Sequence, residues 1–194
     1  MFHKGTDKWN DYFELGMYIL AVICFVYFLI QRIYPKVFEA ILIVATLVFI
    51  RVLFKLTKIK LFPLLRFSIL FFIFIAMFMA NEFGFYGKVP HLDKIEHLFS
   101  GVILCFIGLL IFRKINKKEI NLSLHSATEV WFSLFFSMAM AGCWEIFEFS
   151  TDMIFGLNSQ NRSIIDTMID MICGIFGAIL TSFYLSQKKG NLSA

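Results

Sequence analysis

Charged residues, proline and cysteine are all scarce in this sequence of 194 residues, with 16% charged residues, three prolines and four cysteines. Soluble domains are typically about 25% charged and about 45–50% apolar, whereas the hydrophobic set here reaches 59%. This composition excludes a soluble enzyme, a disordered chain and a nucleic-acid-binding domain, so we expect no nucleic-acid partner. Phenylalanine is abundant, with 26 residues, and this favours a surface in contact with lipid.

The cysteines do not indicate a disulfide framework or a zinc site. Cys24, Cys105, Cys143 and Cys173 lie inside apolar segments, and no two of them form a Cys-x-x-Cys pair. Disulfide frameworks and zinc knuckles require cysteines at characteristic close spacings. We therefore interpret these four residues as small apolar side chains inside helices.

Six apolar segments are long enough, or nearly so, to cross a bilayer as helices, which takes about 20 residues. The first is longer than the apolar region of a signal peptide, about 7–15 residues, and no small-residue cleavage site follows it. The sequence therefore predicts an all-α, multi-pass protein of a prokaryotic plasma (inner) membrane. It would be a single transmembrane domain over residues 1–194, a bundle of six helices. The helices cover about residues 15–33, 37–54, 64–85, 95–112, 130–149 and 164–185.

Lys and Arg are distributed unequally between the two sides of the predicted bundle. The side with both termini and the second and fourth connections carries thirteen of them, and the other side carries five. Cytoplasmic loops of membrane proteins are enriched in these residues. We therefore predict that the N- and C-termini are both cytoplasmic. Arg66, on this side, is expected to extend its side chain to the interface.

The acidic residues show the opposite bias, with nine of 14 in the predicted outer half. Asp and Glu contribute little to orientation, so their position needs another cause. In the last three segments the acids recur at helical spacing, which places them on one face of each helix. The fourth segment contributes one acid and one histidine, and the fifth and sixth segments contribute the other acids. These residues are Asp93, His97, Glu145, Glu148, Asp152, Asp166 and Asp170.

Each of these faces continues along its helix as a stripe of small residues. The stripes consist of Gly101, Cys105 and Gly108, then Ser137 and Ala141, then Gly174, Gly177, Ala178 and Thr181. Small residues let membrane helices approach closely. We therefore expect the last three helices to pack together, with His97, Glu145, Glu148 and Asp170 facing one another.

Carboxylates collected around one histidine need a counter-charge, because ionisable groups inside a membrane are costly. Lys94 and Arg162 are too few to supply it, which leaves bound protons, a divalent metal or a cationic ligand group. One histidine with several carboxylates suits Mn, Zn or Mg. The predicted metal ligands are His97, Glu145, Glu148, Asp152, Asp166 and Asp170. The residues predicted to act in catalysis are His97, Glu145, Glu148 and Asp170.

Three of the acids have an alternative structural interpretation. Asp93 and Asp166 also suit the first turn of a helix, where the helix dipole favours acidic side chains. Asp152 also suits a solvated connection. Glu145 and Glu148 fit such an interpretation poorly, because they lie near the C-terminus of a helix, where the dipole disfavours acids.

Four motifs of the last three segments occur in a characteristic order. They are Asp93-Lys94-x-x-His97-x-x-x-Gly101, Trp144-Glu145-x-x-Glu148, Asp152, and Asp166-Thr167-x-x-Asp170. Together they resemble the YjdF-like family of bacterial and archaeal membrane proteins, over about residues 93–178. The resemblance implies a multi-pass architecture and a shared polar site, and no particular reaction.

A more distant resemblance is to the VanZ-like family, which includes proteins linked to glycopeptide-antibiotic resistance. It concerns Asp93-Lys94-x-x-His97 and the run from Arg162 through Asp166 to Gly174 and Gly177. The VanZ-like family typically has Asn at the position of Asp170 and lacks the Trp-Glu-x-x-Glu motif.

Three classes of function remain open from the sequence. The first is a divalent-metal-dependent enzyme acting on a lipid or lipid-linked envelope substrate, although no named metalloenzyme motif such as HExxH occurs. The second is an ion- or proton-coupled transporter, although no inverted repeat is visible. The third is a non-catalytic protein that binds lipid or an envelope component. Membrane lipid is the expected partner in all three.

Overall fold

The computed structural model describes residues 4–116, 126–155 and 163–190, and every regular element in these ranges is helical. Six stretches are long and apolar enough to cross a membrane, which confirms the predicted all-α class and the number of candidate spans. The elements are α1 (Lys4–Ile30), α2 (Tyr34–Thr57), α3 (Pro63–Ile73) with a π-helix (Phe74–Glu82), a 3₁₀ turn (Phe85–Gly87), α4 (Leu92–Ile115), α5 (Ser126–Phe155) and α6 (Ile164–Gly190).

Most helices extend beyond the apolar segments that predicted them. The largest correction is at α1, which begins at Lys4 rather than near residue 15, and α2, α4, α5 and α6 also exceed their predicted limits. A helix continues through polar residues as long as its backbone hydrogen bonds are satisfied, so an apolar run marks only part of its length.

The third predicted segment, 64–85, is shortened at its end. Its helical structure stops at Glu82, and Gly84 then adopts a φ of 71°, a left-handed conformation that glycine reaches without strain. Proline marks its start, because Pro63 is the first residue of α3, a position where the missing N–H has no helical partner.

The helices divide into two compact units, Met1–Leu92 and Asp93–Ala194. The first contains α1, α2, α3 and the π-helix, and the second contains α4, α5 and α6. The single transmembrane domain over 1–194 stays a prediction.

Arg66 in the first unit has ion-pair partners that the sequence did not indicate. Its guanidinium donates hydrogen bonds to Asp11 Oδ1 at 2.6 Å and to Glu14 Oε2 at 2.8 Å. Arg51 approaches the other oxygen of the buried Glu14 at 3.5 Å. The Arg66 side chain therefore joins α3 to α1, and its extension to the membrane interface stays a prediction.

Small residues join the three helices of the second unit. A Cβ added at Gly101 would collide with the carbonyl oxygen of Gly174, and one added at Gly177 would collide with the carbonyl oxygen of Leu98. The hydroxyl of Ser137 on α5 donates to the Gly101 carbonyl at 2.9 Å. The predicted packing of the last three helices along their small-residue stripes is therefore confirmed.

Candidate functional site

The close approach of α4 and α6 places the polar ends of both helices together. Gly174 on α6 lies near the backbone of His97, since a Cβ at Gly174 would be 3.6 Å from the His97 carbonyl oxygen. The same Cβ would be 3.2 Å from the Cβ of Ala141 on α5. The three helices thus meet beside His97, and the ionisable side chains on their facing surfaces form one cluster.

Lys94 lies among three aspartates of this cluster. Its Nζ is 3.1 Å from Asp93 Oδ2, and it contacts Asp166 Oδ1 and Asp170 Oδ1 at 2.5 and 2.7 Å. Asp93 belongs to α4, whereas the other two aspartates belong to α6. One ammonium group therefore joins the two helices and neutralises part of the acidic charge.

His97 is buried and has carboxylates on both sides of its ring. Its Nε2 is 3.4 Å from Asp93 Oδ1 and 3.9 Å from Asp170 Oδ1, and its Nδ1 is 3.8 Å from Glu145 Oε1. One ligand atom each from Asp93, His97 and Asp170 lie within 4.8 Å of one another. These three residues are close enough together to hold a metal ion.

Glu145 and Glu148 occupy different positions on α5. Glu145 is buried beside His97. Glu148 is half-buried, and its Oε1 accepts a hydrogen bond of 3.0 Å from the indole Nε1 of Trp144. The indole thus orients the Glu148 carboxylate through one oxygen, and no hydrogen bond to the second oxygen occurs among the described residues.

The structure places some of the predicted site residues beside His97 and others farther away. Glu145 and Asp170 both lie close to the imidazole of His97, as predicted. The close ligand group of the described chain adds Asp93 to His97 and Asp170, and does not contain Glu145, Glu148, Asp152 or Asp166. Asp166 contacts Lys94, and Asp152 is half-buried on α5. Arg162 lies outside the described residues.

Asp93 and Lys94 are more central than the sequence indicated. The alternative interpretation of Asp93 as a helix cap rests on its place in the first turn of α4. Its spacing of four residues from His97, which aligns both side chains on one face, was the better indication of its position.

The N-terminus of α6 is capped by a residue other than Asp166. The backbone N–H of Asp166 donates to Ser163 Oγ at 3.3 Å. Ser163 precedes the helix and so provides its N-cap. The Asp166 carboxylate is left to contact Lys94, although the helix dipole also favours an acid in this turn.

Comparisons with known proteins give the family of this chain and one relative. A family model described as "Predicted membrane protein (DUF2238)" matches residues 13–190. An uncharacterised protein of Thermotoga maritima is 25% identical over 117 residues, which cover 60% of this chain and 59% of that protein. The chain thus spans less than two thirds of this relative's length. No solved structure matches the chain.

Proposed function

The chain belongs to the DUF2238 family of membrane proteins, which is the YjdF-like family that its motifs resemble, and we propose that its second unit binds a divalent metal ion. The more distant VanZ-like resemblance stays a prediction. The observation that supports the proposal is the ligand group of Asp93, His97 and Asp170, whose ligand atoms lie within 4.8 Å of one another.

The spacing of these atoms suits metal coordination. Ligand atoms placed about 2.0–2.2 Å from a metal ion are separated from each other by about 3–4 Å. The His97 Nε2 is already 3.4 Å from Asp93 and 3.9 Å from Asp170. A metal ion at this point would be held by both carboxylates and the imidazole.

Glu145 has the position of a carboxylate that orients a metal-binding histidine. Such histidines use one ring nitrogen for the metal and donate the other N–H to a carboxylate or carbonyl. Asp93 and Asp170 lie on the Nε2 side of His97, and Glu145 lies on the Nδ1 side at 3.8 Å. The two sides of the ring therefore match this division of roles.

Lys94 balances the aspartates when no ion neutralises them. It contacts Asp93, Asp166 and Asp170 together, so it competes with a metal for two of the ligands. When those two bind an ion, Asp166 remains as the partner of the ammonium group. Lys94 then lies beside the ion, where a cation can orient an anionic substrate group.

The chemistry that follows is hydrolysis or group transfer on a lipid or lipid-linked substrate. A bound divalent ion polarises a phosphoryl or acyl oxygen and lowers the pKa of water. Glu148, held by Trp144, is then the candidate base. Large apolar side chains such as Phe147, Met153 and Ile165 are exposed near these acids, which suits approach from lipid. Mn, Zn and Mg all fit the donor set.

The test is the thermal stability of the purified protein in detergent, with added metal or chelator. A ligand that binds only the native state raises the melting temperature by mass action. We expect Mn²⁺, Zn²⁺ or Mg²⁺ to raise it in the wild type, and His97→Ala and Asp170→Asn to abolish the rise. Glu129→Gln is the matched control, because this carboxylate is paired with Arg113 at 3.0 Å. A wild-type melting curve unaffected by metal and chelator contradicts the proposal.

A second candidate is proton- or ion-coupled transport. Its support is the chain of contacts from Lys94 through Asp170 and His97 to Glu145, the last three of which are buried. Rows of ionisable groups inside membrane proteins commonly form proton or ion pathways. A melting curve that depends on pH but not on metal, and loses its pH dependence in Glu145→Gln, would favour this candidate. Metal binding without turnover of any lipid would favour a non-catalytic binding protein.

A further inference from the structure

The first unit contains a cavity that the proposed metal site does not involve. It has a volume of about 330 Å³ and is lined by residues of α1, α2, α3 and the connection between α2 and α3. Its charged lining consists of Asp11, Glu14, Arg51 and Arg66, and the rest of the lining is apolar. Ligand pockets are commonly about 300–1,000 Å³ and combine apolar walls with a few polar groups. The cavity therefore suits a ligand with a charged end and an apolar end.

Neighbouring residues of α1 place this cavity at the edge of the membrane. The side chains of Trp9 and Tyr12 are 75% and 66% exposed. Trp and Tyr are enriched where a membrane meets water. Asn10, which lies between them in the sequence, donates to the Pro63 carbonyl at 2.9 Å and so fixes the start of α3 at the same level. We therefore place the charged end of the cavity at the depth of the lipid headgroups.

The charges around the cavity are predominantly positive. Between Glu39 and Glu82 the sequence contains five basic residues and no acidic one. Arg66 pairs with the two acids of α1 that line the cavity. The other four basic residues are all exposed, and we call them the basic edge: Arg51, Lys55, Lys58 and Lys60. The two acids of α1 therefore neutralise this group of cations only in part.

Arg51 belongs both to the basic edge and to the lining of the cavity. Its Nη1 is 3.5 Å from Glu14 Oε1, yet its side chain is 69% exposed. A guanidinium has five N–H donors in a planar arrangement that matches the oxygens of a phosphate group. Because most of the side chain is exposed, Arg51 can donate to a phosphate at the mouth of the cavity and keep its contact with Glu14.

Lys58 has a backbone conformation that positions the basic edge. It follows the last residue of α2 and has a φ of 52°. This left-handed conformation is uncommon for residues other than glycine, asparagine and aspartate. Residues with such backbone strain cluster at binding and catalytic sites. Ile59 and Leu61, which flank Lys60 in the chain, line the cavity, so the turn at Lys58 keeps the basic edge beside it.

We propose that the cavity and the basic edge bind the headgroup of an anionic phospholipid. Arg51 donates to the phosphate, the three lysines surround its charge, and the apolar lining receives the first methylene groups of the acyl chains. Clusters of Lys and Arg beside a membrane span attract anionic lipids in this way. The site is independent of the proposed metal site, whose ligands all belong to the second unit.

The test is lipid binding by the purified full-length protein in detergent, after removal of co-purified lipid. Chelator is present throughout, so that the proposed metal site does not contribute. A ligand that binds only the native state raises the melting temperature by mass action. We expect anionic phosphatidylglycerol to raise it more than phosphatidylcholine, which has no net charge. Native mass spectrometry then measures the dissociation constant of phosphatidylglycerol.

Lys58→Asn removes one cation of the basic edge. Because asparagine tolerates the left-handed conformation, the variant should fold. Its dissociation constant for phosphatidylglycerol should rise about fivefold, the effect of one basic residue beside an anionic lipid surface. The matched control is Arg32→Asn, since Arg32 is an exposed cation with a φ of 61° just before the other end of α2. This control should bind phosphatidylglycerol as the wild type does.

Three outcomes overturn the proposal. One is stabilisation by phosphatidylglycerol that is no larger than that by phosphatidylcholine or phosphatidylethanolamine. Another is an equal loss of affinity in Arg32→Asn and Lys58→Asn, which would indicate general attraction to the charge of the protein surface. The third is stabilisation by inorganic phosphate as large as that by phosphatidylglycerol, which would indicate a soluble phosphate ligand in place of a lipid.

Discussion

Among the described residues, Lys94 is the cation that contacts the aspartates of the candidate metal site. Its side chain is 18% exposed and contacts carboxylates from two helices. Removing one partner of a buried ion pair leaves the other charges uncompensated, which costs more than the pair contributes when intact. The lysine therefore has a structural effect even if it takes no part in a reaction.

We expect Lys94→Met to destabilise the metal-free protein by about 3 kcal/mol, the lower end of the range for broken buried pairs. Added divalent metal should restore part of the loss, because it replaces the missing positive charge among Asp93, Asp166 and Asp170. The measurement is the melting temperature with and without metal. Lys188→Met is the matched control, since this exposed lysine contacts only the Tyr184 ring at 5.8 Å among the interactions described for it. Equal stability of the two variants would contradict this role.

At the scale of helices, the site exists because α4 and α6 touch through their backbones. Gly101 and Gly177 leave no room for a side chain at the contact. Membrane helices commonly associate through small residues. The hydrophobic effect does not drive their association, because the surrounding lipid is itself apolar. Any separation of these helices also separates His97 from Asp170.

Gly101→Ala should therefore destabilise the protein, by about 1–3 kcal/mol as in other overpacked contacts. The added Cβ would collide with the Gly174 carbonyl oxygen. Gly142→Ala is the control on α5, because its Cβ would meet only Met171 Cε, at 3.9 Å. Thermal melting of the two variants measures the difference, and Gly101→Ala should also weaken the metal effect. Equal melting temperatures would show that the contact is looser than described.

Sequence patterns predicted the elements and their packing better than their polar contacts. Hydropathy located six spans, and small-residue stripes predicted which faces of α4, α5 and α6 meet. Neither pattern indicates a π-helix, because a shift in backbone hydrogen bonding leaves the hydropathy of Phe74–Glu82 unchanged. The pairing of Arg66 with Glu14 joins residues 52 apart, and no spacing rule applies at that distance.

The candidate metal site was predictable only where its residues lie on one helix. Residues on one helix, such as Asp93 and His97, are related by a fixed spacing. Which of the acids on neighbouring helices reaches Lys94 depends on the depth and rotation of α6 against α4, which only the packing determines. The sequence therefore indicated the cluster of acids around His97 but not its inner arrangement.

At the scale of the whole molecule, the orientation in the membrane remains a prediction from thirteen Lys and Arg residues on one side against five on the other. We expect both termini to be cytoplasmic, since such residues are retained on that side. A reporter that is active only outside the cytoplasm, fused after residue 194, should be inactive, and a cytoplasmic reporter should be active. The reverse result would place the metal site at the cytoplasmic face.

The central claim is that the second unit holds a divalent ion, and elemental analysis of the purified protein tests it most directly. Protein purified without chelator and reloaded with Mn²⁺, Zn²⁺ or Mg²⁺ should retain a stoichiometric amount of one of them after desalting. Asp170→Asn, which changes one oxygen of the ligand group, should lose it, and Glu129→Gln should keep it. Wild-type protein that retains no more divalent metal than Asp170→Asn would contradict the account.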